Sequence, residues 1–253
     1  MGGIPLQAVH TAMFGSLDSF PLLAVPLFIL AGDVMARGGI ARRLIELALA
    51  MVGGVRGSLA LATIGAASAF GAMSGSSVAC VAAIGKLTLP SLEKNGYGRK
   101  FGVSLITATG VIDVIIPPSI PMIIYAIAAQ QSVTTLFLAG IVPGLIVACA
   151  LSLYVMIYAR LKSIPVGEPA EWGKVARALK DGVWAVMTPV VILGGIYGGL
   201  FTPTEAAGVA CIYAILISVF VYRELTWSGV WEITRDSAVL VGQIMIIVSA
   251  AGA

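Results

Sequence analysis

Charge is scarce in this chain. Asp, Glu, Lys and Arg make up 11% of its 253 residues, against about 25% in an ordinary soluble domain. That excludes a soluble globular protein. Histidine is almost missing, with His10 alone near the start in a segment expected to be weakly structured. A serine nucleophile therefore has no histidine base to call on within the apolar segments. Cysteines are few, and Cys80, Cys149 and Cys211 all fall in apolar segments. Disulfides are not expected, and thiols buried in helices are. The net charge of +3 comes from loops between apolar runs, so it reports orientation and not nucleic-acid binding. No basic leader with an apolar core follows Met1, and no signal peptide is expected. No polar anchor closes the apolar run at 247–253, so the chain is expected to be a piece of a longer protein.

What is present is apolar. Hydrophobic residues are 59% of the chain and the mean hydropathy is +1.02. The runs are too long for barrel strands and lack their alternation. The expected class is an all-α polytopic membrane protein.

The most informative stretch has no charge from Gly57 to Gly85, which is 29 residues. About 20 would span a bilayer. Its centre, Ser74-Gly75-Ser76-Ser77, is small, polar and a poor helix former. Arg37, Arg42, Arg43 and Arg56 precede it, and Lys86, Lys94, Arg99 and Lys100 follow. Basic flanks mark the cytoplasmic side, so both ends lie there. The stretch at 57–90 then enters the membrane, turns at the glycine-serine tip and returns. Such broken backbone is tolerated only where protein or a polar cavity surrounds it.

A second interruption follows. The span at 101–129 is broken by Pro117-Pro118-Ser119, just after the lone acid Asp113. Proline removes a backbone donor and blocks the α conformation of the residue before it. The halves are expected at 101–115 and 119–129. Around these lie a first span at 20–36, an amphipathic interfacial helix at 40–52 and a polar turn at 93–96. Further on come a span at 136–159 and a polar cytoplasmic segment at 163–181. Spans at 183–201 and 206–222 follow, then an interfacial loop at 224–236 and a last span from Ser237. The first and last of these spans point in opposite directions, as an inverted repeat would have them. The expected division is 1–56 for a scaffold helix and arm, 57–130 for the moving elements, and 131–253 for the connecting helix and the start of a second repeat.

Carbonyl and hydroxyl oxygens at a helix break suit a hard cation, and helix N-termini attract anions. Two breaks facing each other make a plausible ion and substrate site. The candidate cation ligands are Ser74, Ser77, Asp113, Ile116 and Pro117. The candidate substrate contacts are Ser76, Ser77, Pro118 and Ser119. An intramembrane carboxylate such as Asp113 is expensive and usually functional. Each break read singly is equally a packing feature or a proline kink. Glu205 reads as a first-turn acid on a helix that Thr204 could cap. Asp18 and Asp33 read as helix-end residues. Trp172, Trp184, Trp227 and Trp231 read as interfacial anchors.

Several segments together resemble the large membrane subunit of a tripartite ATP-independent periplasmic (TRAP) transporter. They are FPLLAVPLFILAGDVMARGGIARRLI from Phe20, FGAMSGSSVACVAAIG from Phe70, IIPPSIPMIIYAIA from Ile115, LFLAGIVPGLI from Leu136 and GGIYGGLFTPTEAAGVA from Gly194. The resemblance covers nearly the whole chain. It implies an inverted-repeat, elevator-type secondary transporter of the bacterial inner membrane, with a re-entrant helical hairpin and a discontinuous transmembrane helix. It also implies sodium-driven uptake of an organic acid, in the range of dicarboxylates, keto acids, sugar acids and sialic acid. A periplasmic binding protein would deliver the acid and a small membrane subunit would complete the permease. No cofactor is expected beyond sodium as coupling ion. The first scaffold helices and the second hairpin of such a protein would lie outside this chain. Two positions depart from the family pattern: Asp113 stands where glycine is common, and Cys80 where aspartate or threonine is frequent. The extra carboxylate would strengthen or replace part of a sodium site.

Three rivals remain. An ABC-type permease subunit has a Glu-Ala-Ala-Gly coupling loop like residues 205–208, but there it is polar and cytoplasmic. An intramembrane serine protease would use Ser76 or Ser77, with Lys86 as the base of a serine–lysine dyad. A purely structural scaffold gives no reason for two broken elements.

Overall fold

The computed structural model describes residues 6–166 and 171–251. Eleven helices account for nearly all of them, with no strand among the described residues. They are α1 (Leu6–Leu17), α2 (Ala24–Arg37), α3 (Ile40–Met51), α4 (Ser58–Ser74), α5 (Ser77–Lys94), α6 (Arg99–Ile115), α7 (Ile120–Ala128), α8 (Val133–Leu161), α9 (Trp172–Tyr197), α10 (Pro203–Leu216) and α11 (Trp227–Ala251). Five segments are long and apolar enough to cross a membrane, and α6 with α7 makes a sixth, bent by 42° at its break. A polytopic membrane protein is therefore the fold class.

Local chemistry sets the helix ends. Gly75 closes α4 in the left-handed region at φ +59°, a conformation that costs glycine little. Ser76 caps α5, its hydroxyl oxygen accepting the amide of Ala79. Pro117 forces Ile116 into an extended conformation, and α6 stops there. Thr202 and Glu205 form a reciprocal capping box on α10. Thr202 is thus the cap, and not Thr204, whose hydroxyl instead donates to the Phe20 carbonyl.

Several sequence expectations are corrected. The start of the chain is helical from Leu6, so His10 lies in α1. Within the polar segment at 163–181, α9 begins at Trp172, ahead of the span expected from residue 183. The segment at 224–236 is mostly the first turns of α11. Hydropathy ends a span where charges begin, whereas backbone hydrogen bonding carries the helix on into polar surroundings. Cys149 is exposed, not buried. It shares α8 with exposed Leu138, Val142, Leu145 and Ile146, on one apolar face. Cys80 and Cys211 are buried thiols as expected. Asp33 is no helix end; within α2 it accepts the hydroxyl of Ser237 at 2.6 Å.

The helices around α2 have readable directions. Phe20 meets Thr204, Leu27 meets Cys211 and Gly38 meets Ser218, so α2 and α10 run parallel. Asp33 and Arg37 meet Ser237 and Asp236 on the first turns of α11, while Met13 of α1 meets Ser249 near its end. One apolar core joins α2 to the tip half of α4, to α7 and to α10. A second joins the opening of α4 to α6 and α8. The turns at 129–132 and 198–202 carry no Lys or Arg, so the basic residues gather at the other end, which the positive-inside rule makes cytoplasmic.

At that basic end α3 is fastened by Glu224. Its carboxylate receives Arg42 at 2.5 Å and Arg43 at 2.7 Å, and the Arg43 guanidinium lies 3.5 Å from the centre of the Tyr222 ring. Burial pushes the Glu224 carboxyl up, but the hydrogen bonds and charges of Arg43 and Arg42 outweigh it and hold it below its ordinary value. A depressed folded pKa gives stability above the unfolded value that is lost as pH falls through the folded one. Glu224→Gln is therefore expected to lower the melting temperature at pH 7, by about 1–3 kcal/mol of stability. The gap to the parent should begin to narrow as the pH falls below about 4.5, the carboxyl's ordinary value, and close once it has passed the lowered folded value. Melting curves across pH in detergent check both.

Candidate functional site

Two interrupted backbones meet in the interior. The amide of Ile120, at the start of α7, donates to the carbonyl of Gly75 at the hairpin tip at 3.3 Å. A Cβ at Gly75 would lie 3.1 Å from the Pro118 carbonyl oxygen. The tip of the 17-residue α4 stands about 25 Å from its basic end at 1.5 Å per residue. That is short of a hydrocarbon core about 30 Å thick, so α4 alone does not cross it.

Side chains join at the same level. Ser74 and Asp113 are both fully buried, and the Ser74 hydroxyl donates to Asp113 Oδ1 at 3.3 Å. Asp113 Oδ2 is buried with no hydrogen-bond partner among the described residues. Close helix approach makes this possible. A Cβ at Gly71 would sit 2.7 Å from Asp113 Oδ1 and 3.0 Å from Asp113 Cα, and one at Gly32 would meet Ser74 at 3.0 Å. The carboxylate has thus been carried into the core against the tip of the hairpin. A buried carboxylate with an idle oxygen is costly unless a cation or proton meets it. No cluster of three His, Cys, Asp or Glu side chains exists among the described residues. Any cation here would be held by this one acid with hydroxyl and carbonyl oxygens, a donor set for a hard ion.

The candidate residues are not all brought together. Ser74, Gly75, Asp113, Pro118 and Ile120 converge. Ser76 faces a cavity of about 580 Å³ between α2, α5 and α11, toward the basic end. Ser77 opens instead into a shallow groove of about 560 Å³ between α5 and α6. Ser119 is fully buried, and its hydroxyl donates to the Val114 carbonyl at 2.5 Å. It satisfies a carbonyl at the open end of α6. Pro117 and Pro118 are buried, and Ile116 is half-buried beside Gly144 of α8. Cys80 lies inside the hairpin, its thiol directed at the Ala67 carbonyl at 3.7 Å.

Gly71 and Gly32 escaped the sequence reading, and Lys86 entered it only as a basic flank and as a dyad base. For Lys86 a signal existed: Ser76, Ala79, Ala83 and Lys86 recur at helical spacing and all line the cavity of Ser76. For the glycines none existed, because their role is the approach of a partner helix.

Geometry of this kind belongs to membrane permeases built around broken helices. The chain matches the family described as "Tripartite ATP-independent periplasmic transporter, DctM component" over residues 1–253, and it belongs to that family. It is 42% identical over 252 residues to the isethionate TRAP transporter permease protein DctMQ of Oleidesulfovibrio alaskensis, covering 99% of this chain and 40% of that protein. It is 45% identical over 221 residues to the C4-dicarboxylate TRAP transporter large permease protein DctM of Vibrio cholerae, covering 87% of this chain and 49% of that one. An ectoine/5-hydroxyectoine large permease, UehC of Ruegeria pomeroyi, is 41% identical over 241 residues, 95% of this chain and 56% of the relative. The chain spans about half the length of the curated relatives it matches. With five spanning segments and this membership, it is a multi-pass protein of the bacterial inner membrane.

Proposed function

We propose that this chain is part of the permease of a sodium-coupled secondary transporter that takes up a small organic acid. The observation that carries the reading is the meeting of the two interruptions, with the idle oxygen of Asp113 beside Ser74. Sodium would be held by Ser74 and Asp113 with the carbonyls of Ile116 and Pro117, while Ser77, which opens into the groove between α5 and α6, is left out. The substrate carboxylate would meet Ser76 at the start of α5, where amides and the helix dipole favour an anion. Pro118 and Ser119 would shape the opposite wall, with Ser119 as a positioning residue through Val114.

The hairpin and the broken span, within 57–130, would move as a body and give alternating access around one site. Coupling would come from tighter sodium binding in the loaded state. Partners would be a small membrane subunit and a periplasmic binding protein, as the words tripartite and periplasmic in the family description suggest. The names of the relatives mention isethionate, C4-dicarboxylate and ectoine, all small solutes bearing an acidic group, which supports the organic-acid class.

The rivals fare worse. The family description reads ATP-independent, which speaks against an ABC-type subunit. Glu205 is engaged in its capping box on the end away from the basic residues. A protease dyad fails on distance, since Lys86 lies nine residues beyond Ser77 on one helix, about 14 Å along the axis. The chain therefore reads as a transporter and not an enzyme.

The test is uptake by proteoliposomes holding the full-length permease and its binding protein. Uptake of labelled succinate or isethionate is expected with an inward sodium gradient and not with potassium in its place. Equal uptake in both, or a requirement for ATP, would refute the reading.

A further inference from the structure

We infer that the cavity at the basic end is a vestibule for small organic anions, with Lys86 as its recognition charge. The inference rests on the transport reading above and adds a second binding station to it. The cavity measures about 580 Å³, within the roughly 300–1,000 Å³ usual for small-molecule sites. One wall is a continuous face of α5. Ser76, Ala79, Ala83 and Lys86 line it at steps of three, four and three residues, so a single strip runs from the hairpin tip to the lysine. Ten residues cover about 15 Å. The alanines keep that strip open, and the Ser76 hydroxyl, which accepts from Ala79, still has its proton to donate.

The charges around the cavity are unequally engaged. Arg37 pairs with Asp236 at 2.8 Å, and Arg42 pairs with Glu224 at 2.5 Å and with Glu46 at 3.8 Å. Asp33 accepts the Ser237 hydroxyl. Lys86 is exposed and has no ion-pair partner among the described residues. The lining thus sets Arg37, Arg42 and Lys86 against Asp33 and Glu224, an excess of positive charge, and Lys86 is the basic residue that no acid holds. Between low-dielectric walls an excess of one sign raises the local concentration of ions of the other. An anion leaving the tip at Ser76 would travel down the strip and be received by Lys86. Ser76 is shared with the substrate site proposed at the helix breaks, and Lys86, at the other end of the strip, has no part in that site.

The test needs no knowledge of the natural substrate. In full-length permease in inverted membrane vesicles, exposed Cys149 is replaced by alanine and Ala83→Cys is introduced as a reporter, with Ala82→Cys as a second. The buried Cys80 and Cys211 are kept. Reaction rates with a negatively charged (sulfonatoethyl) and a positively charged (trimethylammonioethyl) methanethiosulfonate are compared, each relative to a free thiol in solution. The anionic reagent is expected to be favoured several-fold. Lys86→Gln should remove the preference and Lys86→Glu should reverse it. Millimolar succinate or isethionate should slow the reaction of the parent and not of Lys86→Gln.

A preference that Lys86→Glu does not move overturns the inference. So does the absence of protection by either anion, or a failure of both reporters to react. Sodium-driven uptake is measured separately, so its absence would sink the transport reading without altering these labelling rates.

Discussion

Gly71→Val is expected to abolish uptake and to lower the melting temperature of the detergent-solubilised permease. At residue 71 the backbones of α4 and α6 come close together. Its absent Cβ would stand 2.7 Å from Asp113 Oδ1, 3.0 Å from Asp113 Cα and 3.1 Å from Asp113 Cβ. The side-chain oxygen could rotate away, but the backbone atom cannot move without shifting α6. Overpacking of this kind costs about 1–3 kcal/mol, and valine adds two methyl groups beyond the Cβ. The displacement would act where Gly75 meets Ile120, so the substrate site would lose its shape even if the chain still folds. Gly71→Ala should be milder. Its combination with Asp113→Gly should recover part of the lost stability, because the nearest clashing atom is then gone. A double-mutant cycle on the melting temperatures measures that coupling. Additive effects would show that the two helices do not touch here.

Removing the carboxylate should change the ion dependence before it changes the fold. Asp113→Asn keeps the size of the side chain and an oxygen for the Ser74 hydroxyl, while losing the charge. In the sodium reading, the sodium concentration for half-maximal uptake should rise about 10- to 100-fold. That is the equivalent of the roughly 1.5–3 kcal/mol carried by one charged ligand. Asp113→Gly should do the same and also lose the contact with Ser74. A thermal readout is independent of transport. A bound cation stabilises the state that binds it, so sodium should raise the melting temperature of the parent more than that of Asp113→Asn. Identical sodium activation and identical thermal shifts in parent and variant would remove Asp113 from the mechanism. The residue would then be a buried acid whose Oδ2 goes unanswered.

Much of this was legible in the chain itself. The scarcity of charge, the 29-residue uncharged stretch and its basic flanks required a membrane protein with a hairpin, because no single helix explains that length with glycine and serine at its centre. Proline chemistry fixed the second break, and α6 does end at Ile115. The polar segments were harder. Hydropathy marks where lipid ends, not where hydrogen bonding ends, so the opening of α9 read as a polar segment and that of α11 as loop.

What the sequence could not contain was which surfaces meet. The break at Pro117-Pro118 and the tip at Gly75 lie some forty residues apart, and only folding brings the Ile120 amide to the Gly75 carbonyl. Adjacent serines looked equivalent on paper. Successive residues of a helix project about 100° apart, so Ser76 and Ser77 open into different cavities. Ser119 looked available, yet an unsatisfied carbonyl at the end of α6 claimed its hydroxyl. The sequence by itself determined the solvent, the number of interruptions and the side of the membrane on which charge lies, because those follow from composition and local backbone chemistry. Tertiary packing alone decided that Asp113 lies against Ser74 and Gly71. Such pairings depend on how close two helices can come, and that closeness is a property of both surfaces at once.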